Sequence, residues 1–353
     1  MPSRSLVVAL LALGASLRAD VKLPAIIGSN MVVQVGQEIP VWGWAAPGEA
    51  VTVTFADKEA AATTGADGRW QVKLAASPAG GPHTMKVRGR NTLTLTNVLV
   101  GEVWLCSGQS NMTFRVDQAD DAAKEIAGAA FPSIRLFTVK RTADERGPRS
   151  NCEGSWVECS PKTVGTFSAA GYFFGRELHQ NLKRPVGLIH SSWGGTKAEA
   201  WTPRPTLEAD EAFRPILDRW AREMADFPRL KAEFETNREQ LTADWKIAAE
   251  KAKAAGRMPP SAPRLRTGPN TQYAPCGLYN AMIAPLAPFA LRGVIWYQGE
   301  ANAGAPVLYR QLFPALIGAW RETWQSELPF IYVQLPNLAR QPEPSKSGWA
   351  ELR

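Results

Sequence analysis

The rhythm of hydrophobic positions changes near residue 98. From residue 20 to about 97, short runs alternate apolar and polar side chains at 31–35, 41–44, 51–55, 70–74, 84–87 and 93–96, with turn signals at Pro47-Gly48 and Asp67-Gly68. Period-two alternation in short, turn-bounded runs predicts strands with one buried face, and this spacing predicts a small β-sandwich. From 98 onward the apolar runs are nearly continuous, at 98–106, 134–139, 186–190, 294–297 and 330–335. Such runs suit strands covered on both faces. Helical patterns lie between them, over 169–182 and through Leu308, Leu312, Leu316, Trp320 and Trp324, with Phe313 and Ile317 widening the stripe. Alternating strands and helices predict an α/β architecture with a parallel sheet. Residues 207 to about 256 are charged and helical, ending near Gly256 before a proline-rich stretch at 258–263. They read as an excursion packed on the α/β body, or alternatively as a lid.

The first nineteen residues follow a different logic. Arg4 precedes the apolar run 6–13, and Leu17-Arg18-Ala19 resembles a small-residue cleavage site. This predicts a secretory signal peptide cut after Ala19, an uncleaved anchor being the alternative, and a secreted or periplasmic mature protein. No later run is long and apolar enough to cross a bilayer, so no membrane association is expected after cleavage. The formal charge of +7 comes from 40 Lys and Arg against 33 Asp and Glu; without Arg4 and Arg18, 38 cations face 33 acids, leaving +5. The cations are scattered rather than blocked, which argues against a nucleic-acid partner. Of the four cysteines, Cys152 and Cys159 are near enough in sequence to close a small disulfide loop, an option that export permits, whereas Cys106 sits in an apolar run and reads as a buried thiol. No Cys-x-x-Cys or histidine-rich spacing suggests a metal.

Three polar segments each follow a predicted strand, at the edge where ligands of open α/β sheets gather. Gly108-Gln109-Ser110-Asn111-Met112 follows 98–106. Gly108 permits a sharp turn, and Ser110 would open a helix with its hydroxyl outward and its own N–H facing a developing oxyanion. Read alone, Ser110 is as well explained as a helix N-cap. Ser192-Trp193-Gly194-Gly195-Thr196 follows 186–190, and its paired glycines allow close approach of a backbone N–H, or simply a turn. Gln298, in Trp296-Tyr297-Gln298-Gly299-Glu300-Ala301-Asn302, offers a side-chain amide to the same oxyanion, or belongs to an ordinary polar loop. Taken together, a serine, a glycine donor and an amide donor at one sheet edge describe an ester-hydrolysis site that lacks its base.

These segments also resemble a known family. Residues 101–112, Gly-Glu-Val-Trp-Leu-Cys-Ser-Gly-Gln-Ser-Asn-Met, are similar to the nucleophile block of the sialate O-acetylesterases, a branch of the SGNH hydrolases. Residues 191–196 resemble the glycine block and residues 296–302 the third block, with Gln where other SGNH enzymes commonly carry Asn. Further similar stretches are 167–178, 279–285 and 312–320, and Val41-Trp42-Gly43-Trp44 before Pro47-Gly48-Glu49 looks like the family's opening β-domain. The resemblance implies an SGNH-type three-layer α/β/α domain over 98–353, preceded by the small β-sandwich domain over 20–97. It implies Ser110 as nucleophile, with the Ser110 N–H, the Gly195 N–H (from the Gly194-Gly195 pair) and the Gln298 side chain as oxyanion donors. Asn111, Gly194 and Glu300 would touch substrate or orient these groups. The implied substrate is an O-acetylated sugar or glycan, with no metal or organic cofactor.

The resemblance also implies a base in an Asp-x-x-His segment near the C-terminus, and that pattern occurs nowhere in this sequence. The histidines are His83, expected in a surface turn, His179, on the helix 169–182, and His190, at the end of the strand before the glycine pair. His190 is the one placed to line the pocket, yet its strand position does not match the motif. The chain ends at Arg353 within a stretch that resembles the family, so it is expected to be a fragment of a longer product. The alternative is a non-catalytic carbohydrate-binding or scaffold protein on the esterase fold.

Overall fold

The computed structural model describes residues 20–265, 267–337 and 348–353; the signal peptide expected over 1–19 lies outside the described residues. The first half of the chain supplies β1 (Val32–Gln34), β2 (Ile39–Trp44), β3 (Ala50–Phe55), β4 (Lys58–Thr63), β5 (Arg69–Leu74), β6 (Gly80–Arg88) and β7 (Thr92–Gly108). There follow α1 (Ser110–Thr113), α2 (Ala122–Ala127), β8 (Phe131–Thr138), β9 (Trp156–Cys159), α3 (Ala169–Leu182) and β10 (Val186–Ser192). The remainder is α4 (Arg204–Ala209), α5 (Arg214–Ala254), β11 (Gly293–Tyr297), α6 (Pro306–Trp324), β12 (Phe330–Tyr332) and α7 (Gly348–Leu352), with short 3₁₀ and π turns between.

Strand β7 organises the molecule. Its first half pairs antiparallel with β6, which carries β3 and β4 in turn, and it also pairs parallel with β1. Its second half lies at the centre of a sheet ordered β9-β8-β10-β7-β11-β12. All pairs of that sheet are parallel except β8 with β9. The burial pattern of β7 changes at the same place. Early residues alternate in exposure, whereas every residue from Val98 to Gly108 is buried. Successive side chains of a strand point to opposite faces. Val103 and Leu105 accordingly join one core, with Val294, Trp296, Trp201, Leu312, Leu316 and Trp320. Trp104 and Cys106 join the other, with Leu136, Leu188, Ile295, Phe167 and Tyr172. Helix α6 covers the first face and α3 the second, giving the three layers the apolar runs imply. The first core continues without a break into the opening β-region through Val51, Val53, Phe55, Met85 and Val87.

Several elements depart from the sequence pattern. Strand β4, Lys-Glu-Ala-Ala-Ala-Thr, carries no large apolar residue and half-buries one side only, so it leaves no strong alternation to read. Strand β9 is four residues long, too short for periodicity to register. The run 330–335 forms a strand only to Tyr332. His83 lies within β6, opposite Val98, rather than in a turn, and its ring meets Phe55 edge-on at 5.4 Å. Cys152 and Cys159 form no disulfide: all four cysteines are free and buried. Cys159 instead turns its thiol to the Ala129 carbonyl within the second core.

The excursion is α5, 41 residues and roughly 60 Å long at 1.5 Å per residue. It buries Ile216 and Trp220 near its start and Ala249 and Ala252 near its end, leaving a long middle stretch in solvent or half-exposed. Gly256 terminates it at φ +65°. The Arg257 N–H bonds Ala252 O and the Gly256 N–H bonds Lys253 O, the paired contacts of a Schellman cap. The proline-rich return runs back alongside α5, where the Trp245 indole donates to Pro260 O. Among the described residues no helix is long and apolar enough to cross a membrane.

Candidate active site

Strand register brings the three segments together. Gly108 pairs with Ser192 of β10 on one side and with Tyr297 of β11 on the other. The three chains therefore leave the sheet at one level of one edge. Backbone bonds tie the departing loops: Trp193 N–H donates to Gly108 O at 3.2 Å, and Gln109 N–H to Tyr297 O at 2.9 Å. A side chain at Gly108 is excluded. Its φ is +138°, and a Cβ would stand 2.2 Å from the Tyr297 carbonyl oxygen.

Ser110 is the first residue of α1, exposed, with Gln109 in the capping position. Among the described residues neither its hydroxyl nor its N–H has a hydrogen-bond partner. The hydroxyl is therefore not consumed as a cap. Gly194 lies directly against it, since a Cβ on Gly194 would be 3.6 Å from both Cα and Cβ of Ser110. The glycine turn is held from behind. The Thr196 hydroxyl donates to Trp193 O at 2.7 Å and accepts from the buried Trp201 indole at 2.9 Å. Gly195 takes φ +74°, faces open space, and is exposed. Its N–H also has no partner among the described residues.

Gln298 is buried just beneath this pair, and its amide is already engaged. Nε2 donates to Asn302 Oδ1 at 2.6 Å and to Thr196 O at 3.2 Å, while Oε1 accepts from the Tyr309 hydroxyl at 3.0 Å. The orientation is set from one end. The Glu199 carboxylate can only accept, so Asn302 Nδ2 faces it at 2.9 Å and Oδ1 faces Gln298. For Gln298 to donate to an oxyanion, its hydrogen must leave Thr196 O. Gln109 fixes the third loop from the other side, its Oε1 accepting from Ala301 N–H at 3.2 Å. Asn111 Nδ2 donates to Glu300 Oε1 at 2.6 Å, and the second Glu300 oxygen is buried without a partner among the described residues.

The histidines lie elsewhere. His179 binds Arg184 O at the end of α3. His190 is buried in β10; its Nε2 bonds Ser192 Oγ at 2.6 Å and its Nδ1 has no partner among the described residues, so neither ring nitrogen hydrogen-bonds the Ser110 hydroxyl there. Burial, and secondarily the Arg141 guanidinium, press its pKa down to about 4, leaving the ring neutral. Among the described residues no basic side chain hydrogen-bonds Ser110.

Sequence reasoning did not find Glu199, Asn302, Tyr309, Thr196 or the Gln109 side chain. Asn302 stood in the third block without a role, and its partner Glu199 is 103 residues away. No periodicity connects residues so far apart.

The chain is similar to known carbohydrate esterases. Residues 100–234 match the family model described as carbohydrate esterase, sialic acid-specific acetylesterase. Sialate O-acetylesterase of Mus musculus is 33% identical over 343 residues, which cover 89% of this chain and 59% of the mouse protein. The Rattus norvegicus protein of the same name is 35% identical over 344 residues, again 89% and 59%. A crystal structure of a carbohydrate acetylesterase from Xanthomonas citri superposes with a TM-score of 0.74 at 33% identity, covering 94% of this chain and 64% of that one. The chain thus spans about three-fifths of the length of the curated relatives it matches. In sequence and fold alike, the chain is similar to the sialate O-acetylesterases over the part it shares with them.

Proposed function

We propose that this chain carries the nucleophile and oxyanion portion of a carbohydrate O-acetylesterase, acting on acetyl esters of a sugar or glycan. The observation that carries the reading is the packing of Gly194 against an exposed, uncapped Ser110 at one sheet edge. In this reading the Ser110 hydroxyl attacks the acetyl carbonyl. The Ser110 and Gly195 N–H groups receive the oxyanion, each such donor being worth about 3 kcal/mol in the transition state. Collapse expels the sugar hydroxyl, and water then hydrolyses the acetyl-enzyme. Gln298 supports the Gly194-Gly195 turn through Thr196 O, and joins the oxyanion only by exchanging that bond. Asn111 and Glu300, paired at the rim, face the sugar.

Attack also needs a group to take the hydroxyl proton. With no basic side chain bonded to Ser110 among the described residues, turnover is expected to be slow and to rise when imidazole is supplied in solution. Release of 4-nitrophenol from its acetate, with and without imidazole, tests this. Ser110→Ala should abolish the imidazole-supported rate, and equal rates for the two proteins would remove Ser110 from the role. The same proposal places the mature protein outside the cytoplasm, its leader removed after Ala19, which the N-terminal mass of the exported protein checks.

A further inference from the structure

Behind the nucleophile helix, three side chains form a chain of close contacts. His190 Nε2 lies 2.6 Å from Ser192 Oγ, Ser192 Oγ lies 3.0 Å from Thr113 Oγ1, and Thr113 Oγ1 lies 3.0 Å from Gln109 O. Proton counting gives the chain a direction. The Gln109 carbonyl can only accept, so the Thr113 hydroxyl proton is committed to it. Thr113 must then accept from Ser192, which commits the Ser192 proton, and Ser192 must accept from His190. All three contacts are satisfied in one arrangement only, with His190 as the Nε2–H tautomer. The rest of the pocket fits this. His190 Nδ1 is buried with no partner among the described residues, as befits a bare lone pair. The ring is flanked by Phe167, edge-on at 5.5 Å, and by the Arg141 side chain, whose Nε bonds Ser192 O. Neither accepts a proton from it, and the low pKa keeps a second proton off.

The chain ends on an informative atom. Gln109 O belongs to the peptide unit whose N–H is that of Ser110, an oxyanion donor in the function proposed above. That carbonyl also accepts the Thr113 N–H at 2.9 Å, so two donors converge on it. Donors at a carbonyl withdraw charge from the peptide and make its N–H a better donor, and successive hydrogen bonds pointing one way reinforce each other. A threonine hydroxyl bonding four residues back is common in helices; here that hydroxyl is itself driven by a serine and a buried imidazole.

We infer that His190, Ser192 and Thr113 form a directed hydrogen-bond relay that fixes and polarises the Gln109–Ser110 peptide, making them positioning residues for the oxyanion hole. The inference rests on the proposed esterase reading for its consequence, but its geometry can be tested apart from activity.

Labelling glutamine at the carbonyl carbon and serine at nitrogen marks only two peptides, Gln109–Ser110 and Gln325–Ser326, the second serving as an internal reference. Long-range proton–nitrogen spectra of the unaltered protein should show His190 as the Nε2–H tautomer throughout neutral pH. An Nδ1–H tautomer would overturn the relay with no substitution needed. Thr113→Val should move the Gln109 carbonyl carbon and the Ser110 nitrogen upfield with the reference unmoved, and Thr113→Ser should restore both. An unmoved Ser110 signal in the valine variant also overturns it. In the imidazole-supported acetate assay, Thr113→Val should lower kcat roughly ten-fold at constant KM, with recovery in Thr113→Ser. An unchanged kcat, in a protein whose rate Ser110→Ala abolishes, would leave the relay without its catalytic consequence. A rate indifferent to Ser110→Ala would instead sink the esterase reading, while the spectra still decide the relay.

Discussion

At Gly108 one missing methyl decides whether the loops can converge. With a Cβ, the residue would drive into the Tyr297 carbonyl at a φ that L side chains rarely adopt. Gly108→Ala is therefore expected to lower stability by about 2–4 kcal/mol and to part β7 from β11 next to Ser110, seen as a lower thermal midpoint together with lost Ser110 reactivity. Retained reactivity would mean that the glycine serves only the turn. His190 gives a second expectation at this scale. Its pKa, held near 4 by burial and then by Arg141, lies below the ordinary histidine value of 6.5. A neutral form favoured by the fold stabilises it fully above pH 6.5, and that contribution drains away as pH falls toward 4, by about 3 kcal/mol in all. Urea midpoints should decline over this window in the parent protein and flatten in His190→Asn; parallel profiles would contradict it. The blocks around Ser110, Gly194-Gly195 and Gln298 were legible as sequence because each is a short local word after an apolar strand. The amide commitments of Gln298 were not, because Thr196, Asn302, Tyr309 and Glu199 acquire meaning only when loops a hundred residues apart meet.

Among the elements, the strands buried on both faces and the helices α3 and α6 were legible, since burial writes directly into periodicity. Strand β4 was not, because an edge strand with alanine on its inner side makes little demand on composition. Helix α5 was visible as a charged helical tract, while its length and projection were not, since charge patterning says nothing about where a helix sits. Its anchors are confined to the two ends, with Ile216 and Trp220 at one and Ala249 and Ala252 at the other. Amide protection depends on buried contacts. Hydrogen exchange across residues 225–246 should therefore be markedly faster than in the second half of β7, and equal protection would indicate a partner lying along the helix.

For the molecule as a whole, the cysteines give a test that spans both cores. Burial pushes the thiols of Cys152, Cys159 and Cys276 up to about 12, and that of Cys106 higher still. The native protein should resist iodoacetamide at neutral pH and take up four equivalents once unfolded, with no change of thermal midpoint under reductant. A fold that favours neutral thiols is fully supported below pH 9, the ordinary thiol range, and loses that support as pH climbs toward 12. Rapid native alkylation would show that the cores are not closed.

Because the strand that leads to Ser110 begins in the opening β-region, trimming the protein to the half that holds Ser110 is a poor strategy. A strand is nearly inextensible, so a one-residue slip at its moored end carries the far end about 3.3 Å along and turns every side chain to the opposite face. Excising the first eighty residues would take away β1 and β3, leaving β6, β10 and β11 to hold that register without the packing behind them.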